Sequence, residues 1–111
     1  MNVTYSDKAK QGGEEYTLLQ HATKQLEELL GEAIEGAAEG VKAEWDRGQD
    51  AGGRTTYTLR LSDEADSVSS DFSPDELQSD KDLQRRLRRL WSSLLAARGR
   101  RILRGLRESR E

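Results

Sequence analysis

The chain has 111 residues, of which 18 are basic and 21 acidic, for a net charge of −3. Twenty-one Leu, Ile, Val and Phe side chains, about 19% of the total, support one small domain with a thin core. With no cysteine, the composition excludes a disulfide scaffold, a thiol nucleophile and a Cys-ligated metal, and no apolar run approaches the roughly 20 residues that cross a bilayer.

The near-neutral total conceals a polarity. Residues 1–82 hold 8 basic and 19 acidic side chains, whereas residues 83–111 hold ten arginines, no lysine and two glutamates. Such an arrangement serves an anionic partner, or attracts the acidic half of the same or a neighbouring chain.

Residues 1–13 carry scattered apolar side chains among Ser6, Asp7, Lys8, Lys10, Gln11, Gly12 and Gly13, and read as a disordered leader. They lack the basic start and apolar core of a secretory signal, which together with the missing cysteines leads to a cytoplasmic expectation. From Glu14 to Glu39 the period becomes helical. Leu19, Ala22, Leu26, Leu29, Leu30, Ala33, Ile34 and Ala37 make one stripe, with Glu28, Glu32, Glu35 and Glu39 opposite and Gly40 placed for a left-handed cap.

The period then falls to two. Val41–Trp45 alternates apolar and charged residues, and Arg47–Gly53 is a glycine-rich hairpin loop. Thr55–Leu61 is a strand with Tyr57, Leu59 and Leu61 on one face. A turn at Ser62–Asp66 leads to a third strand presenting Val68, Ser70 and Phe72. Ser73-Pro74-Asp75-Glu76 combines a capping hydroxyl, a proline at the first helical position and a capping-box glutamate. One short turn at 74–78 is expected, followed by a helix from Asp80 to Arg98 with Leu83, Leu87, Leu90, Trp91, Leu94 and Ala97 on its buried stripe. Extended further, that stripe would hold Arg98 and Arg101, so Gly99 marks its end and 99–111 reads as an Arg-rich tail, frayed or forming a short amphipathic helix.

The expected fold is therefore α+β, in two layers and the order α-β-β-β-α. A three-stranded antiparallel meander packs against a long N-terminal helix and a C-terminal helix, as a single domain over 14–98. So narrow a sheet has two open edges, and a partner or a dimer mate is the usual way of completing it.

Little in the sequence supports catalysis. His21, the single histidine, falls opposite the first helix's stripe, and no serine, metal or phosphate-loop motif is present. The acids of Asp63–Asp66 and of Asp71, Asp75 and Glu76 are explained by turns and by the helix N-terminus. The glycine loop joins two strands, unlike a phosphate loop, and Trp45, Tyr57 and Phe72 occupy core positions. No enzyme activity, cofactor, metal or small-molecule substrate is expected.

The unusual feature is the arginine cluster. Arg85, Arg86, Arg89, Arg100, Arg101, Arg104 and Arg107 are the candidate partner or anion contacts, since guanidinium binds carboxylate and phosphate bidentately. An isoelectric point near 5.3 argues against nucleic acid. The element order resembles that of the double-stranded RNA-binding domain over roughly residues 14–98. That family begins its last helix with glycines and lysines, where this chain reads Ser73-Pro74-Asp75-Glu76-Leu77-Gln78-Ser79-Asp80-Lys81-Asp82, so RNA binding is not implied. The expected role is protein–protein contact, including a homodimer, with anion binding as the alternative.

Overall fold

The computed structural model describes residues 2–31 and 40–108, with side chains as far as Arg100. The order is β1 (Asn2–Tyr5), α1 (Asp7–Lys10), α2 (Glu14–Gly31), β2 (Lys42–Gln49), β3 (Thr55–Ser62), β4 (Ser67–Phe72), α3 (Pro74–Gln78) and α4 (Asp80–Glu108). The α+β class is as expected, but the sheet is mixed and has four strands in the order β1-β2-β3-β4. β2, β3 and β4 form the anticipated antiparallel meander, while β1 adds to β2 in parallel.

Residues 2–10 are thus not a disordered leader. Val3 and Tyr5 pair with Ala43 and Trp45 and pack against the core, and Ala9 of α1 is fully buried. The Ser6 hydroxyl caps α1 by accepting from the Ala9 N–H at 3.1 Å. Two apolar residues flanked by polar ones make too short a pattern to read as a strand. Only pairing with β2 gives the segment its conformation.

The register sorts the sheet into two faces. Val3, Tyr5, Ala43, Trp45, Tyr57, Leu59, Leu61, Val68 and Phe72 share the face packed on the helices. Thr4, Lys42, Glu44, Asp46, Thr58, Arg60, Ser69 and Asp71 share the opposite, polar face, where Thr58 donates to Asp71 at 2.6 Å. Leu19, Ala22, Leu26 and Leu30 of α2 and Leu83, Leu87, Leu90, Trp91 and Leu94 of α4 close a single core. This is the expected two-layer arrangement, with helical and alternating periods converging on one interior.

β2 runs through Arg47 and Gly48 to Gln49, beyond its expected end, because Thr55–Tyr57 of β3 pair with those residues. The turn is confined to Asp50–Gly53, where Asp50 Oδ1 accepts from the Gly52 and Arg54 N–H groups and Gly53 takes φ +79°. Gly40 also has left-handed backbone, at φ +77°. The expected helical residues Ala33, Ile34 and Ala37 lie outside the described residues.

The capping box at Ser73 and Glu76 forms in full. α4 then corrects a second expectation. It runs through Gly99 to Glu108, about 43 Å, with no break after Arg98. A glycine in a helix interior costs only about 1 kcal/mol relative to alanine, too little to end a helix of such strong formers.

One buried polar group joins β1, α2 and β2. The Thr23 hydroxyl donates to the Leu19 carbonyl at 2.8 Å and accepts from Tyr5 Oη and Trp45 Nε1, each at 3.0 Å. All of its hydrogen-bonding capacity is used. Thr23→Val preserves the shape but leaves two donors unpaired, and should cost about 1–3 kcal/mol in urea unfolding. A loss below about 0.5 kcal/mol would show that water replaces the threonine.

Candidate functional site

The arginines of α4 separate by their position around the helix. At about 100° per residue, Arg85, Arg88, Arg89 and Arg100 fall within roughly 120° of one another, opposite the buried stripe. All four are exposed. Arg85 contacts Asp82 at 3.1 Å, one turn away, while Arg88, Arg89 and Arg100 have no ion pair among the described residues.

Arg86 is not a free anion contact. Its guanidinium pairs with Glu76, donates to the Ser70 hydroxyl at 2.7 Å and to the Asp71 carbonyl, and lies 4.3 Å from the centre of the Phe72 ring. It fastens α4 to α3 and β4. Burial disfavours the charged form of Glu76, but the Ser73 N–H and the Arg86 charge outweigh this and hold its carboxyl below the ordinary range. Arg101, Arg104 and Arg107 belong to the backbone of α4, and their side chains lie outside the described ones.

Arg98, which the candidate set omitted, makes the most buried ion pair among the described residues. Its Nε donates to Asp63 Oδ2 at 2.6 Å, with 19% and 9% of the two side chains exposed. Arg98 also lies 5.7 Å from the Trp91 ring centre. This hydrogen bond is the main reason the Asp63 carboxyl falls to about 2, with the Asp66 and Ala65 N–H groups adding to it. A signal was present in the sequence, since Arg98 falls on the continued core stripe, but its acidic counterpart lies 35 residues away in the β3–β4 turn.

Glu27 and Glu28 are exposed on α2, and among the described residues no ion pair joins α2 glutamates to α4 arginines. His21 is exposed as expected, and meets Asp80 at 3.1 Å and Gln25 at 3.0 Å. Among the described residues no group of three or more His, Asp or Glu side chains is placed to hold a metal ion, and no helix is long and apolar enough to cross a membrane.

Two of the grooves among the described residues flank the sheet at its edges. One, of about 420 Å³, is lined by Lys8, Gln11, Arg47, Gly48, Gln49 and Thr55, beside the part of β2 that β1 leaves uncovered. The other, of about 150 Å³, lies between β4 and α4 and is lined by Ser69, Ser70, Arg86, Arg89, Leu90 and Ser93. Comparison with family models, with curated proteins and with solved structures finds no match for this chain.

Proposed function

We propose that this domain is a non-catalytic protein-binding module whose contact surface is the outer face of α4. The observation that carries this reading is a row of exposed arginines, Arg85, Arg88, Arg89 and Arg100, of which only Arg85 makes an ion pair among the described residues, with Asp82 one turn away. Opposite charge recognises such a surface, and the exposed glutamates of α2 in a second copy are of the matching kind. A nucleic-acid surface has less support. Arg86 and Arg98 are engaged inside the fold, and none of the six aromatic side chains is exposed for base stacking.

Light scattering coupled to size exclusion tests the reading at about 50 mM and about 500 mM salt, which bracket weak and strong screening. The expected mass exceeds a monomer at the lower salt and returns to a monomer at the higher. The triple variant Arg85→Ser, Arg88→Ser, Arg89→Ser should be monomeric in both. A mass indifferent to salt and to these substitutions overturns this face as a contact between copies.

A further inference from the structure

Among the described residues, β4 pairs with β3 on one side and with no strand on the other. Open sheet edges are ordinarily blunted, and here Arg86 blunts one end by donating to the Asp71 carbonyl. In an antiparallel ladder, alternate residues turn their backbone groups away from the partner strand. The Asp71 carbonyl points to Arg86, so Ser67 and Ser69 share its outward phase and keep their backbone groups available along the uncapped part of the edge.

Beside this stretch lies the groove of about 150 Å³ between β4 and α4. Glu76 compensates Arg86, whereas Arg89 is exposed and makes no ion pair among the described residues. The groove therefore carries one uncompensated guanidinium. Ser70 Oγ accepts from Arg86 at 2.7 Å, which leaves its O–H to donate, and the Ser93 hydroxyl is held by the Arg89 carbonyl at 2.9 Å. Leu90 is the apolar residue of the same lining.

We propose that the free edge of β4 accepts an extended segment of a partner protein, which pairs its backbone with Ser67 and Ser69 and places one aspartate or glutamate side chain against Arg89. Backbone pairing supplies affinity in strand addition, and the pocket beside the edge supplies selectivity. A carboxylate matches both the single net cation and the planar fork of a guanidinium. A second copy of β4 is a poorer occupant, because antiparallel self-pairing about Ser69 brings the Arg89 side chains of both copies to one junction. The proposal goes beyond the arginine-face reading and shares only Arg89 with it.

The test is a titration of the whole 15N-labelled chain with acetyl-Val-Thr-Glu-Thr-Val-amide, up to about 1 mM, a range suited to weak strand addition. This probe copies the sheet's own pattern, with valines and glutamate toward the helices and threonines outward. Amide shifts are expected at Ser67, Ser69 and Ser70, with slowed hydrogen exchange at Ser67 and Ser69. The glutamine version of the peptide should bind about tenfold more weakly, as should Arg89→Gln, whose site is exposed and whose remaining spectrum should be unchanged.

Absence of shifts in β4, or equal affinity for the two peptides, overturns the proposal. Tighter binding of a phosphoserine version overturns the choice of carboxylate. Shifts confined to Arg85, Arg88 and Arg100 overturn the edge site while supporting the outer face of α4. Shifts in β4 with a salt-indifferent monomer support the edge site and overturn that face as a contact between copies.

Discussion

Arg98→Ala should destabilise the domain by about 3–5 kcal/mol, because it leaves Asp63 charged and largely buried without its partner. With 9% of the Asp63 side chain and 19% of the Arg98 side chain exposed, water does little to replace the 2.6 Å hydrogen bond. The change also removes the guanidinium beside Trp91. Asp63→Asn should cost less. An asparagine keeps an oxygen to accept from the Ala65 and Asp66 N–H groups, which Asp63 Oδ1 now holds at 2.9 and 2.8 Å.

The same pair predicts a pH dependence. The carboxyl titrates near 2 in the folded chain, against 3.8 as the ordinary value. Its pKa is depressed on folding, so the stabilisation is present above pH 3.8 and is lost as pH falls through 3.8 toward 2. That shift corresponds to about 2 kcal/mol, which Asp63→Asn should remove from the acid limb of the urea-unfolding profile. An Arg98→Ala variant within about 1 kcal/mol of the parent would show that water enters and solvates Asp63.

Leu87→Ala should cost about 2–5 kcal/mol. Leu87 sits mid-way along the buried stripe of α4, fully buried in the same core as Leu83, Leu90, Leu94 and Phe72. Replacing its isobutyl group by a methyl leaves a cavity in that core, at a cost set by how far the neighbours relax into it. Total stabilities near 5–15 kcal/mol make this a large fraction of what holds a thin core together. Leu95 on the same helix is 40% exposed, so Leu95→Ala should change stability by no more than about 0.5 kcal/mol. Matched urea midpoints at constant slope separate the two. Equal losses would mean that α4 is not seated on the sheet through the Leu87 face.

Both residues were legible in different degrees. The spacing Leu83, Leu87, Leu90, Leu94 places Leu87 on the buried face with no reference to any other element. Arg98 lies on that stripe too, but an arginine there reads as the end of the helix until its counterion is known. The candidate arginines divided on similar grounds. Arg86 lies outside the apolar stripe, as Arg85 and Arg89 do, yet α3 and β4 close over it and leave Arg89 open.

Local pattern alone determined the α+β class, the helical stripes of α2 and α4, the β2–β3–β4 meander and the capping box at Ser73. Each depends on a period or on a spacing of a few residues, which the backbone itself imposes. Tertiary structure decided the rest. β1 exists because β2 offers it an edge, Thr23 is a buried junction because Tyr5 and Trp45 converge on it, and α4 continues past Gly99 with Arg98 held by Asp63. In these cases the deciding partner lies between 18 and 40 residues away in sequence, or past a residue whose local preference is only about 1 kcal/mol. Local preference of that size gives way to contacts that only the folded chain brings together.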